Sequence, residues 1–446
     1  MEKGAIRDAS QLGMPKMLIL GLQHMFAMFG ATILVPILVD DYFGGSGMSI
    51  QVTLFAAGVG TLIFHFISKK KVPAFLGSSF AFLGGFSTVA NLNTGIYAGM
   101  AMSEKVRYAC GGIVVAGLIY VIMALLIKVV GVKKVMHFLP PVVTGPIIIC
   151  IGLSLAPSAI GNASQNWLLA LIALVVIVIF NIWGKGMFRI IPILMGVVIS
   201  YICAVIFNIA GMTNVDGSAI LSFQGVADAA WLSLPPWQWA KFDITAILVM
   251  APISIATMME HVGDISAISA TVGDNFLADP GLHRTLIGDG IATAFAGVIG
   301  GPANTTYGEN TGVLELSHVY DPKVIRLAAV YAIVLSFIPK VSEVIGSMPT
   351  AIIGGVSFIL YGMISAVGVR NVVENQVDFT KSRNLIIAAV ILVTGLGFTD
   401  GLTFTVAGTS ITLTSLALAA IAGILLNALL PGNDYEFENA KPINYE

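Results

Sequence analysis

Carboxylates are scarce along the apolar stretches of this chain, and the few present are grouped. Glu260, His261 and Asp264 close one apolar run in MEHVGD, and Glu309 follows Thr305-Thr306-Tyr307-Gly308 in PANTTYGEN. Glu260 and Asp264 are four residues apart, so on a helix they share a face. A carboxylate at membrane depth costs about 2.5–3.5 kcal/mol on insertion scales, which makes each of these a functional-site hypothesis by default. Around Glu309 the chain is a poor helix former: Pro302 and Gly308 interrupt it, and Thr305, Thr306 and Tyr307 favour extended backbone. A matching break, PAFLGSSFAF, lies far upstream around Gly77, Ser78, Ser79 and Phe80. Backbone amides cannot stay unpaired in a low-dielectric medium, so the two breaks are expected to lie side by side as short strands, each feeding a half-helix. Carboxylates accept from N–H groups, free backbone N–H groups donate to carbonyls, and Phe80 and Tyr307 offer flat faces. The complementary ligand is small, planar and neutral, with alternating N–H and C=O on its edge. A nucleobase has that edge, whereas an anion would meet like charge.

The elements that carry these residues must sit in lipid. Of 446 residues, 57% are hydrophobic and 10% charged, with a mean hydropathy of +0.92, against about 25% charged in soluble domains. No basic block is present to bind nucleic acid. Cys110, Cys150 and Cys203 each lie singly in apolar runs, so neither a disulfide framework nor a metal site is expected. There is no P-loop and no nucleophile with a partnered base, hence no enzyme, no ATP-driven pump and no cofactor is expected. The first apolar run, reaching Val39, is too long for a signal-peptide core and reads as an uncleaved span.

Fourteen apolar runs follow one another, the third at 74–90, the eighth at 244–262, the tenth at 303–317 and the last at 409–430. With the N-terminus in the cytoplasm, all but Lys105, Arg107, Lys241 and Lys340 of the 22 Lys and Arg fall on the cytoplasmic side, as the positive-inside rule requires. The C-terminus is then cytoplasmic as well. Fourteen spans divide into seven and seven, and an odd-numbered unit repeated in tandem comes out inverted. The two breaks are third in each half, and Pro140/Gly145 in the fifth run rhyme with Pro349/Gly354 in the twelfth. Paired interrupted segments at matching positions point to a transporter's midplane site. The expected fold is an all-α polytopic membrane protein of two inverted seven-span repeats, 1–210 and 244–430, with short strands breaking spans 3 and 10. Residues 211–243, with Trp231, Trp237 and Trp239, read as an external connection anchored at the membrane surface, and 431–446 as a polar cytoplasmic tail. His65 reads as a packing partner and His24 as one that bonds a site carboxylate. Asp289 and Glu315 read as structural or near the cytoplasmic mouth.

GLQHMFAMFGATILVP in the first run, GSSFAF, EHVG, DPGLHRTL and NTTYGENTGV carry a likeness that extends over nearly all the runs. The chain closely resembles uracil permeases of the nucleobase–ascorbate transporter family. That family's signature has Gln, Glu or Pro, then Asn-x-Gly, four free positions, then Thr and a basic residue or Gly. Here it reads Glu309-Asn310-Thr311-Gly312 and then Ser317-His318, departing only at the last two positions. The resemblance implies a core domain of spans 1–4 and 8–11, a gate domain of spans 5–7 and 12–14, and a homodimer in the cell membrane. It implies that Glu260 and Glu309 grip the base, with backbone near Phe80, Gly308 and Ala31 lining the pocket and His24 and Asn310 in support. The position of Asp264 is tied in the family to proton coupling, and Glu at 309 favours uracil over xanthine. The expected function is proton-coupled uracil import by alternating access. A xanthine or purine permease and a passive nucleobase channel or facilitator are the competing readings.

Overall fold

The computed structural model describes residues 5–399, 401–406 and 409–432, with the side chains of Val132, Met136, Met187, Ile190, Glu309, 405–406 and 409–411 outside that description. The tail expected after 431 therefore falls almost wholly outside the described residues. Helices dominate. In the first half the main ones are α1 (Met14–Tyr42), α2 (Ile50–Ile67), α3 (Leu83–Asn91), α4 (Met102–Val130), α5 (Pro141–Ser154), α6 (Trp167–Trp183) and α7 (Pro192–Ile209), with strand β1 (Leu76–Ser78) before α3. In the second half they are α8 (Ile253–Val272), α9 (Leu282–Val298), α10 (Gly308–Ser317), α11 (Pro322–Ser336), α12 (Thr350–Glu374), α13 (Ser382–Gly397) and α14 (Ser415–Leu429). Strand β2 (Asn304–Thr306) precedes α10. Among the described residues seven helices are long and apolar enough to cross a membrane singly, with Pro141–Ala163 and Ile244–Val272 each taken whole, or eight if Pro322–Ser336 and Pro339–Gly346, bent by 87°, form one span. Proline opens α1, α5, α7 and α11 within their first two positions, where its missing N–H costs nothing.

The two breaks do meet. β1 and β2 pair antiparallel, Leu76 opposite Thr306, Gly77 opposite Thr305 and Ser78 opposite Asn304. Two more backbone bonds extend the ladder, Ser79 N–H to Ala303 O at 2.8 Å and Tyr307 N–H to Phe75 O at 3.0 Å. Side chains satisfy the remaining edge groups. Thr61 on α2 accepts from Leu76 N–H at 2.9 Å, and Thr293 on α9 donates to Asn304 O at 3.0 Å. The Asn304 amide donates to Ala56 O and Ala292 O, both at 3.2 Å. Water cannot do this work inside a bilayer, so protein groups must.

Glycines set the helix spacing around the crossover. A Cβ at Gly117 on α4 would lie 2.4 Å from Gly290 O, and one at Gly290 on α9 would lie 2.5 Å from Tyr120 Cβ. The small residues thus let the two backbones touch. α1–α4 pack with α8–α11, and α5–α7 pack with α12–α14.

One reading needs correction. The run from 409 is not a helix at its start: Leu402–Val406 (β3) and Thr409–Leu413 (β4) form an antiparallel hairpin, favoured by the β-branched stretch ITLT, and α14 begins only at Ser415. The fold is therefore mostly helical with two small sheets. His24 meets Asn310, whose amide approaches His24 Nδ1 at 3.2 Å and donates to His24 O at 3.0 Å. Asp289, expected to be structural or near the cytoplasmic mouth, is wholly buried.

The leader before α1 is also more ordered than its mixed charges indicate. Ile6 exchanges backbone bonds with His318 and Tyr320, each 2.8 Å. Arg7 pairs with Asp274 and donates to Val272 O at 2.9 Å. Ala9 N–H reaches Asp321 at 2.8 Å, and Lys323 donates to Asp8 at 2.9 Å. This strap joins the ends of α8 and α10 to the start of α11. The Lys323 ammonium, with Ser10, holds the Asp8 carboxyl at about 2, below its usual 3.8. A carboxyl depressed on folding adds stability that is complete above its ordinary pKa and is lost as pH falls through the folded value. Hydrogen-exchange protection of the Ile6 and Tyr320 amides is therefore expected to be intact at pH 5 and to weaken between pH 4 and 2. Protection unchanged down to pH 2 would show that the ion pair does not hold the strap.

Candidate functional site

Each strand of the crossover leads into a helix, β1 through the turn Phe80–Phe82 into α3 and β2 through Tyr307 into α10. The first N–H groups of a helix have no intrahelical partner, and they carry the positive end of its dipole. α10 starts at Gly308, which is exposed; Glu309 follows in its first turn, and its side chain lies outside the described residues.

α8 brings the other acidic groups. Asp264 is 8% exposed, and Thr306 on β2 donates to its Oδ2 at 2.8 Å. A Cβ on Gly308 would lie 3.8 Å from Asp264 Oδ1, so this carboxylate borders the α10 start, where the helix dipole favours negative charge. Glu260, one turn earlier on the same face, is half-buried.

The aromatic candidates divide. Tyr307 lies against Gly77, where an added Cβ would come within 2.4 Å of its ring, and its hydroxyl donates to Ser78 O at 2.9 Å. It fastens one strand to the other. Phe80 meets Tyr361 of α12 edge-on, with ring centroids 5.8 Å apart, so it stands where the two packing groups face each other. Ala31 is wholly buried on α1, next to Thr32, whose carbonyl accepts from Ser78 Oγ at 2.5 Å. Asn310 and His24 tie α10 to α1. His65, expected as a packing partner, bonds Ala74 O at 2.8 Å.

One pair escaped the sequence reading. His261 Nδ1 lies 2.8 Å from Asp289 Oδ2, with both side chains fully buried. The signal was present: an aspartate flanked by glycines in mid-span, GDG, and a histidine beside Glu260. Among the described residues no group of three or more His, Cys, Asp or Glu is arranged to hold a metal ion.

The chain resembles known transporters throughout its length. It is 39% identical over 449 residues to the uracil permease of Bacillus caldolyticus, covering 97% of this chain and 96% of the relative. It is 40% identical over 429 residues to the uracil permease of Bacillus subtilis (92% and 91% covered). To the putative pyrimidine permease RutG of Escherichia coli it is 35% identical over 434 residues (96% and 92% covered). In fold it is similar to the transmembrane domain of the cyanobacterial bicarbonate transporter BicA, with a TM-score of 0.58 at 14% identity over 95% of this chain and 99% of that one. The anion transporter SLC26A9 gives 0.64 at 11% identity, over 93% of this chain and 64% of that one. A family model described as "Permease family" matches residues 15–404. The chain is a multi-pass membrane protein that belongs to this permease family, the nucleobase–ascorbate transporters, and is a transporter rather than an enzyme.

Proposed function

We propose that the protein imports uracil together with a proton by alternating access. The observation that carries this reading is the β1–β2 crossover, with Asp264 and Glu260 delivered by α8 beside the exposed start of α10. Helix N–H groups suit the carbonyls of a pyrimidine, and the carboxylates of Glu260 and Glu309 suit its N–H groups. Relatives named uracil permeases, at 39% and 40% identity, favour uracil over a purine. We read fourteen spans in two inverted repeats. The antiparallel pairing of two strands that each head a short helix supports the inversion. The packing of α1–α4 mainly with α8–α11 and of α5–α7 mainly with α12–α14, joined where α8 meets α5 and α14 and where α1 meets α7, supports a core and a gate. Both termini are assigned to the cytoplasmic side of the cell membrane from the Lys and Arg distribution, and a homodimer follows from family resemblance.

In this mechanism a proton taken up in the Glu260/Asp264 region permits uracil to bind from outside. The core then moves against the gate, with Phe80 and Tyr361 at their boundary, and base and proton leave inward. The test is uptake of labelled uracil into proteoliposomes under an imposed proton gradient. Accumulation above equilibrium that collapses with an uncoupler, and that excess xanthine leaves intact, is expected. Loss of uptake to xanthine overturns the substrate. Simple equilibration indifferent to the uncoupler makes the protein a passive facilitator.

A further inference from the structure

The leader before α1 touches the far ends of both helices that carry the site. Glu260 and Asp264 lie on α8, which ends at Val272, and Glu309 is in the first turn of α10, which ends at Ser317. Each end is closed by a residue of positive φ, Gly273 at 76° and His318 at 52°. Helix ends leave carbonyls without intrahelical partners, and the leader takes one carbonyl at each. Arg7 donates to Val272 O at 2.9 Å, and Ile6 N–H donates to His318 O at 2.8 Å. Tyr320 N–H returns a bond to Ile6 O, so Ile6 bridges Val319 as a parallel strand would. Beneath this bridge Ala9, Val319 and Val324 form an apolar cluster of their own, flanked by Ile6, Leu12 and Met17. The Arg7 and Asp274 side chains are about half exposed, and such a pair by itself contributes little. The backbone bonds and the apolar cluster therefore hold the leader, and Arg7 directs it to the end of α8.

α10 needs an anchor at its far end. It has 10 residues, about 15 Å at 1.5 Å per residue, roughly half the hydrocarbon thickness of a bilayer. A helix so short cannot be located by spanning the membrane, and a displacement of its end tilts its start. Its start is held by β2 and by the Asn310 bond to His24 O; its end is held by Ile6. α8 packs directly against α10. The two are tied at the level of the site, where Thr306 donates to Asp264 at 2.8 Å. They are tied again where the leader takes Val272 and His318 together, about two turns beyond Asp264 and Glu309. A single tie would leave a hinge; two ties set the tilt as well as the separation.

We infer that Ile6 and Arg7 are positioning residues for base binding, holding α8 and α10 at the separation that presents Glu260, Asp264 and the start of α10 to one ligand. Neither residue touches the base. The inference rests on the proposed binding of uracil between these helices and extends it to a segment ahead of the first span.

Two single variants release the leader in different ways. Ile6→Pro removes the N–H that His318 O accepts, and Arg7→Glu sets a negative charge against Asp274 and the carbonyl end of α8. In purified, monodisperse protein both are expected to bind uracil about tenfold more weakly by calorimetry. KM for uptake is expected to rise by the same factor with the maximal rate unchanged, because the loss is of binding common to substrate and transition state. Hydrogen exchange of the amides of residues 312–317 is expected to speed up about tenfold without any ligand. His318→Gly keeps the carbonyl and suits the positive φ, so it is expected to match wild type in all three measurements. A leader that serves only stability would lower the melting midpoint while the folded protein kept its uracil affinity, and that result overturns the inference. Exchange over 312–317 that is unchanged in both variants overturns it too. Should Ile6→Pro fail to insert, Arg7→Glu, altered at an exposed side chain, decides alone. Wild-type protein that binds no uracil would defeat the substrate reading separately, while faster exchange in the variants would still support the leader's hold on α10.

Discussion

Replacing Gly77 by valine is expected to reduce uracil uptake to less than a tenth of wild type and to lower the thermal midpoint by several degrees. The first added carbon alone would come within 2.4 Å of the Tyr307 ring and 2.7 Å of Thr32 Oγ1. The ring cannot swing aside without breaking its hydroxyl bond to Ser78 O and straining the adjacent Tyr307 N–H bond to Phe75 O. Overpacking of this kind costs about 1–3 kcal/mol, and a lost buried hydrogen bond adds about 1–3 kcal/mol for the group left unpaired. The strain falls on the strand that positions both half-helices. Gly84, on α3 and with open space around it, is the control; Gly84→Val is expected to behave as wild type. Uptake together with a melting curve in detergent checks both, and an active, stable Gly77→Val protein would mean that the crossover is not rigid.

The Glu260→Gln protein is expected to lose concentrative uptake and to bind uracil about 10- to 150-fold more weakly. Glutamine keeps the shape and one acceptor but gives up the charge, and a charge-assisted hydrogen bond contributes about 1.5–3 kcal/mol. Glu260 is half-buried one turn before Asp264, so removing one of two neighbouring negative charges also alters how readily the other takes a proton. Calorimetric titration with uracil measures the first effect and uptake under a proton gradient the second. A Glu260→Gln transporter that still concentrates uracil would move the coupling group elsewhere.

What the residues revealed in advance was local. Pro302, Gly308 and the Thr-Thr-Tyr run could not make a membrane helix, nor could Gly77-Ser78-Ser79, and unpaired amides in lipid required the two to find each other. Polarity and backbone preference are properties of short windows, and they are legible there. Contacts across helices are not. Asp289 looked structural because nothing in its own window names His261 as a neighbour; the partnership depends on how closely Gly288 and Gly290 let α9 approach α2 and α4. His24 and Asn310, which the resemblance had named together in support of the site, meet across α1 and α10. The β3–β4 hairpin was hidden because an apolar, β-branched stretch next to a true helix reads as part of that helix. The strap from Ile6 to Asp8 could not be read locally either, since its partners lie beyond residue 270.

The β1–β2 pair also constrains the order in which the molecule can come into being. Its strands are more than two hundred residues apart in the chain, and at about 5–20 residues per second a ribosome takes on the order of tens of seconds to make the intervening segment. Throughout that interval Leu76, Gly77 and Ser78 are already synthesised, while the carbonyls and amides that complete them do not yet exist. The first seven helices are thus a dependent half, born with an open seam that only Asn304–Thr306 can close. Expressed by itself, that half has no partner for its own centre. Supplied as two separate pieces, the chain has its natural meeting point at these six residues.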